Sequence, residues 1–214
     1  MCAVKWAAVV VTPDGEIEVH SYLAACRETS TVYDKLGSFM KSAKDNMNKS
    51  VAVTEAALAE RNHLLAERRE PLLRTMEDLI RYDVKHGLTY AQCKDKWAVS
   101  LTMLWLNRSV QLFGRIQYWL MHETYYKKPN TYDAVSSAYK DTLYLYHGWM
   151  LQNVFLAVMR FCPTRKKFLS GLSDGCSLEQ CEEEMSSCYE TCSYSTTILE
   201  DNFIALGEND PVKF

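Results

Sequence analysis

The sequence predicts an all-α protein, on three observations. Its 214 residues include only five prolines and eight glycines, so turns are few and helices long. Strand-like alternation of apolar and polar residues is weak. Apolar residues instead recur at intervals of three and four over long stretches, the period of a helix with one buried face. The length suits one sizeable core, and residues 1–214 are read as a single domain.

The N-terminal stretch Met1–Val11 carries one Lys and a short apolar run that ends at Thr12-Pro13-Asp14-Gly15. That run is short for a signal-peptide core, and no clear small-x-small site follows it. Ala7–Thr12 and Glu16–His20 flank Asp14-Gly15 as a hairpin would. A lone hairpin is marginal in water, so the expectation is a loop leading into a helix near Ser21–Arg27. After Leu36-Gly37-Ser38 the chain has no Gly or Pro until Pro71, which predicts a long helical stretch with at most one break. Met40, Ala43, Met47 and Val51 form its apolar stripe.

Glu77–Lys85 continues the helical pattern and stops at His86-Gly87, a C-terminal cap. Thr89–Asp95 leads into a helix that runs through Trp97 to about His122. Trp97, Leu101, Leu104, Trp105, Arg108, Leu112, Ile116 and Trp119 make its stripe. Lys127-Lys128-Pro129-Asn130 is a loop, and Thr131 or Asp133 caps a helix that continues to Cys162, where Pro163 ends it. After Lys140-Asp141 this helix is apolar almost all round, so it is expected to be buried on most sides. His147 then shares a face with Leu143, Met150, Leu151 and Val154, and Gly148 is a mid-helix glycine that permits close approach. Thr164–Ser170 starts a shorter helix, Gly171–Cys176 is a turn, and Leu178–Ile204 is a last helix with an acidic first turn.

Composition narrows the function. A net charge of −3 gives no global basic field for nucleic acid. No run of roughly 18 apolar residues occurs, so no transmembrane helix is expected. Four of the eight cysteines fall in C-x4-C-x6-C-x3-C between Cys176 and Cys192, which is not a zinc spacing. Reduced thiols in the cytosol are the default, ahead of a disulfide or a metal. There is no G-x-S-x-G, H-E-x-x-H, P-loop or dinucleotide fingerprint, and no metal or cofactor is expected.

Three places stand out. His147 on an apolar face is most simply a satisfied core histidine, with a binding role as the alternative. Trp105 reads as core, or as a flat stacking plate with a free indole N–H. Arg108 inside the apolar stripe needs a partner if buried, or snorkels to the rim. On the preceding helix, Asp45 and Lys49 are four apart and read as a surface ion pair, with Asn48 beside them. These residues equally suit the lip of a polar recess. Together they describe a helical domain with an apolar interior and a few polar groups, which suits an apolar ligand.

The order of the segments resembles the glycolipid transfer protein family. The likeness runs from Thr12-Pro13-Asp14-Gly15 and Ser21-Tyr22-Leu23 through Tyr33-Asp34-Lys35-Leu36-Gly37-Ser38 to the cluster Asp45–Lys49. Its strongest parts are Leu101-Thr102-Met103-Leu104-Trp105-Leu106-Asn107-Arg108 and Ala138-Tyr139 through Tyr146-His147-Gly148-Trp149, continuing to Pro163 and Phe168-Leu169. The resemblance implies a two-layer all-helical sandwich of about eight helices and no enzymatic activity. It implies an apolar pocket for lipid chains and a surface recess for a sugar headgroup.

By the same resemblance, Trp105 is the plate for the first sugar ring and His147 hydrogen-bonds the ceramide amide carbonyl. Asp45 accepts from the amide N–H and a sugar hydroxyl. The family places an Asn one turn after the Asp and a Lys three residues later. Here Lys49 stands one turn on, Asn48 one residue short of it, and Ala52 at the later position. Either Asn48 or Lys49 takes the sugar contact. Trp149 resembles the family's membrane-touching tryptophan, a residue suited to a bilayer interface. Lys127, Lys128, Arg160, Arg165, Lys166 and Lys167 are candidates for positive charge on that face.

The implied function is a cytoplasmic, monomeric carrier that binds a glycosphingolipid and touches membranes transiently. Three other readings stay open. A ceramide-phosphate carrier of the same family has a second cation where Trp105 stands, and Arg108 keeps phosphate in play. A lipid sensor binds without net transfer. An enzyme acting on lipid through Cys162 and His147 is the most remote.

Overall fold

The computed structural model describes residues 2–36, 40–126, 128–173 and 175–209. The punctuation expected at Gly37-Ser38, the loop residue Lys127 and the tail beyond Asn209 lie outside these residues. The architecture is an all-helical sandwich in two layers, and the only β pairing among the described residues is three isolated bridges.

Helix α1 spans Cys2–Ala7 and buries Ala3 and Trp6. It stands where a loop was expected, because six residues are too few to show a period. The chain then turns at Thr12–Gly15. Gly15 takes φ +78°, and Val11 bridges Ile17 without extending into a hairpin. Side chains from elsewhere hold this turn. Glu77 accepts from the Ile17 amide at 3.0 Å, while Asn202 donates to the Gly15 carbonyl at 3.1 Å and to Glu77 at 2.7 Å.

Helix α2 (Val19–Leu36) is longer than the expected start near Ser21–Arg27, and α3 (Lys41–Glu67) is unbroken. The α3 stripe continues from Met47 and Val51 through Thr54, Leu58, Arg61 and Leu65. Thr75 and Asp78 form a capping box that starts α4 (Met76–His86), and Gly87 ends it at φ +71°. Arg61 reaches Asp83 at 2.7 Å and ties α3 to α4. Burial pushes the Asp83 carboxyl up to about 6 despite that guanidinium.

A short helix α5 (Tyr90–Cys93) precedes α6 (Val99–Met121), the central helix. Trp97 lies outside α6 and is 52% exposed, so it does not belong to the predicted stripe. Helix α6 packs against α2, α3, α4, α8 and α11, so it is buried on most sides. After α7 (Glu123–Tyr126) comes the largest departure from expectation.

The single helix expected from Asp133 to Cys162 is three pieces. Helix α8 (Tyr132–Asp141) ends at Thr142, a 3-10 turn covers Leu143–Tyr146, and α9 (Trp149–Val158) starts after an extended His147-Gly148. Gly148 is therefore the N-cap of α9 and not a mid-helix residue. Gln152 stabilises the break by donating to the carbonyls of Tyr144 at 2.8 Å and His147 at 3.0 Å. A 3-10 turn at Met159–Phe161 leads to α10 (Arg165–Ser173). Ser177 and Gln180 cap the last helix, α11 (Leu178–Ala205), with Glu179 in its first turn.

Helices α6 and α11 pack most intimately at Gly114. A Cβ placed there would come within 2.7 Å of Cys192 Sγ. Gly114→Ala is expected to destabilise the fold by about 1–3 kcal/mol through overpacking. The cost should shrink in a Cys192→Ala background, a coupling that urea-denaturation midpoints of the double-mutant cycle read directly. Additive costs would mean that the two helices separate freely at this point.

Candidate functional site

The site is built on α6 and on the broken stretch after α8. Trp105 and Arg108 sit one turn apart on α6. Trp105 is half-buried, and Arg108 is 1% exposed. The arginine does not snorkel. Its guanidinium carbon lies 3.6 Å from the Tyr146 ring centroid and 5.4 Å from that of Trp105. One of its nitrogens donates to Asn209 Oδ1 at 2.8 Å. A chain segment some hundred positions away thus covers this cation.

The break after α8 delivers His147 to the same place. Its backbone is extended, at φ −89° and ψ 137°, and the residue is 4% exposed. The ring stacks nearly parallel on Trp105, with centroids 5.6 Å apart and planes 17° from parallel. Phe155 lies 4.8 Å away and Tyr139 5.6 Å away. These partners replace Leu143, Met150, Leu151 and Val154, which a continuous helix would have placed beside it.

The Tyr139 hydroxyl meets His147 Nδ1 at 2.8 Å. Burial lowers the imidazole pKa to about 4, so the ring is neutral near neutral pH. When the tyrosine hydroxyl donates to Nδ1, Nε2 carries the proton and can donate to an acceptor.

Two largely apolar chambers lie between the helices, one of them next to this cluster. Phe155, Val154, Val158, Met159, Leu112 and Ile116 contribute to the nearer, of about 100 Å³. Ile116 also borders a larger one of about 280 Å³, between α1, α2, α6, α10 and α11. Phe155 therefore touches His147 on one side and lines the nearer chamber on the other.

The α3 residues are less gathered. Asp45, Asn48 and Lys49 are all exposed. The Lys49 ammonium lies 3.4 Å from the Trp97 ring centroid, in place of the ion pair expected with Asp45. Asn48 lines an open recess with Arg27, Ser30 and Glu55 on the α2 side of α3. Sequence reasoning missed Tyr139 and Tyr146 as partners of His147 and Arg108, because their proximity depends on the break. It also missed Asn209. Cys162 is a poor nucleophile, since burial pushes its thiol up to about 12.

Helix α9 has no buried residue, contrary to the expectation of burial on most sides. Trp149 is 77% exposed and Met150 72%, and beside this helix Leu145 and Phe161 are 60% and 80% exposed. Arg165, one of the predicted surface cations, is turned inward to the Leu120 carbonyl and Glu182.

Among the described residues no helix is long and apolar enough to cross a membrane. No cluster of three or more His, Cys, Asp or Glu residues among them is placed to hold a metal.

Comparison with known proteins bears on this geometry. The sequence profile described as Glycolipid transfer protein (GLTP) matches residues 17–174. Glycolipid transfer protein 1 of Arabidopsis thaliana is 22% identical over 206 residues, covering 95% of this chain and 92% of that one. The glycolipid transfer protein of Aureobasidium melanogenum is 26% identical over 203 residues, covering 93% and 89%. The crystal structure of human ceramide-1-phosphate transfer protein in complex with ceramide-1-phosphate has a TM-score of 0.83 at 14% identity, covering 98% of this chain and 96% of that one.

The buried imidazole makes stability depend on pH. Its folded pKa of about 4 lies below the usual value of 6.5, so the unfolded chain binds the extra proton first. Its contribution is complete above about pH 6.5 and is lost as pH falls toward 4, by on the order of 3 kcal/mol. His147→Gln should lack this slope, so the stability difference between the wild-type and variant proteins should change steadily as pH falls from about 6.5 toward 4. Parallel curves from pH 7 to pH 4 would show that His147 titrates normally.

Proposed function

The chain belongs to the glycolipid transfer protein family, whose members are lipid transfer proteins and not enzymes, and on that premise we propose that it carries a glycosphingolipid. The observation that carries this reading is the Trp105–His147 stack next to the nearer apolar chamber, with Arg108 covered beneath Tyr146 and Asn209. A sugar ring offers C–H groups on its face and hydroxyls on its rim. The face of an indole suits the first, and carboxylate and ammonium groups suit the second.

In this reading the sugar lies on Trp105. His147 Nε2 donates to the amide carbonyl, and Asp45 accepts from the amide N–H and a sugar hydroxyl. Lys49 takes the remaining sugar contact, since Asn48 faces the recess shared with Arg27 and Glu55. The chains pass Phe155 into the nearer chamber and on past Ile116. Each methylene taken from water gains about 0.8 kcal/mol. Relative to a bilayer that gain largely vanishes, so headgroup contacts set selectivity.

Exposed Trp149, Met150, Leu145 and Phe161 form the membrane-contacting face of the proposal. It places apolar side chains beside the break that holds His147, so the lipid enters where the protein touches the bilayer. A ceramide phosphate is the second reading. Lys49 is an exposed cation, and the ceramide-1-phosphate protein shares the whole fold.

Two experiments test the proposal. In vesicle-to-vesicle transfer of fluorescent glucosylceramide or ceramide phosphate, the glycolipid should move faster. Trp105→Ala and His147→Leu should each slow it about tenfold, equivalent to about 1.4 kcal/mol. Movement of the phosphate lipid alone would overturn the role of Trp105. Movement of neither would overturn the carrier reading.

Separately, Trp149→Ala and Phe161→Ala should each weaken vesicle binding about tenfold or more, through lost apolar contact. Thermal midpoints should not change, because both side chains are largely exposed. Unchanged sedimentation with vesicles would remove this face from the reading.

A further inference from the structure

The larger chamber has a feature that headgroup binding does not use. Its walls carry Cys2 from α1, Cys181 and Cys188 from α11, and Cys176 just before α11. All eight cysteines of the chain are free thiols. Cys2 and Cys188 line this chamber from α1 and α11, two helices that pack against each other. Cys2 Sγ also lies 3.6 Å from the Thr29 hydroxyl, and Gln117 Nε2 donates to Cys188 Sγ at 3.5 Å. Cys2 is partly exposed, whereas Cys188 is 2% exposed.

We propose that Cys2 and Cys188 form a thiol–disulfide site, oxidised by a small soluble disulfide, that covalently ties α1 to α11 across the larger chamber. The partly exposed thiol reacts first. Cys2 sulfur attacks one sulfur of the small disulfide, forms a mixed disulfide and releases one equivalent of thiol, which takes up the proton. Cys188 sulfur then attacks the Cys2 sulfur of that mixed disulfide. The Cys2–Cys188 bond forms, and the second equivalent of thiol leaves with the Cys188 proton. Two protein thiols are oxidised by two electrons, and one small disulfide is reduced to two thiols.

The surroundings make the reduced pair durable. The contact with Cys188, followed by burial and the charge of Glu28, raises the Cys2 thiol. The Cys192 thiol and burial push Cys188 up to about 12. Neither is a ready thiolate near neutrality, so closure is slow there and needs sustained oxidant. Cys192 lies four residues from Cys188 on the same helix, and Cys26 is a buried thiol on α2, which packs against α1. Both are competing partners. The favoured pair joins two elements that both line the chamber.

The functional consequence rests on the reading that this chamber receives a lipid chain. Helix α1 supplies Cys2 and Ala3 to one wall, and α11 supplies Met185, Cys188 and Cys181 to the other. A covalent tie fixes the largest gap between them. The oxidised protein should therefore discriminate against long chains more strongly than the reduced one.

The test treats the intact protein with oxidised glutathione at mildly alkaline pH, then maps peptides without reduction. A peptide pair joining Cys2 to Cys188 is expected. It should disappear in Cys2→Ser and in Cys188→Ser, and persist in Cys192→Ser. The thermal midpoint should rise by about 4 °C or more on oxidation, and return on reduction.

A bond joining Cys176 to Cys181 or Cys2 to Cys26, or glutathione left on Cys2 without closure, would overturn the site. Transfer of long- and short-chain glucosylceramide by both redox forms tests the consequence, with long-chain transfer falling at least about tenfold relative to short on oxidation. An unchanged ratio in cross-linked protein would overturn the chamber's role and leave the thiol site standing. Failure of both lipids to move in either form would overturn the carrier reading alone.

Discussion

Helix α6 is buried on most sides, yet it carries Asn107, Arg108 and Gln117 in its middle. A buried polar group left without a partner costs roughly 1–3 kcal/mol, and a charged one more. Each of these side chains therefore dictates what lies against it. Asn107 accepts from the Tyr22 hydroxyl on α2 at 2.8 Å and donates to the Thr196 carbonyl on α11 at 3.1 Å. Gln117 reaches Cys188 on α11, and Arg108 meets Asn209 beyond its end. Apolar packing alone would tolerate sliding of these helices. The polar contacts pin their registers, and Gly114 brings α6 and α11 close enough for them to form. Trp105 stands within one turn of both Asn107 and Arg108 in a helix held in this way, so the same contacts fix its position.

The fold class was legible because long periodic segments carry their own evidence. The α3 stripe from Met47 to Leu65, the capping box at Thr75–Asp78 and the Gly87 stop all act locally. Helix α1 was not legible, since its six residues are held by burial of Trp6 and its indole donating to Thr29 at 3.0 Å. The break between α8 and α9 was illegible for a related reason. No proline marks it, and the single Gly148 is a weak signal, since an isolated glycine is tolerated within a helix. The Gln152 amide replaces backbone hydrogen bonds that a continuous helix would have made, a choice visible only when the chain is folded.

The site was legible in its residue types and illegible in its geometry. Trp105, Arg108 and His147 are brought together, but by means that spacing could not show. A His147 on a continuous helix would have faced Leu143 and Met150. The extended segment instead turns it onto Trp105 and against Tyr139. Arg108 inside an apolar stripe signalled a buried partner, but that partner lies beyond the last helix, outside any local window. Asp45, Asn48 and Lys49 show the opposite case. Helical spacing put them on one exposed surface correctly, yet it could not tell which of them turns toward α2 and which toward Trp97.

One break in the chain serves two physical ends. It removes His147 from water, and it frees α9 to present Trp149 and Met150 outward while Phe155 lines a chamber. A continuous helix could not do both, because its apolar surface would be committed to one neighbour. The cost is the loss of regular backbone hydrogen bonds over Leu143–Gly148, which Gln152 partly offsets. Burial keeps the imidazole neutral, so its hydrogen-bonding pattern is the same across the whole neutral pH range. A charged ring there would favour an anion, whereas a neutral donor suits an amide carbonyl. The same burial that costs acid stability thus fixes the chemistry that His147 offers beside the chamber, a neutral ring at every pH near neutrality.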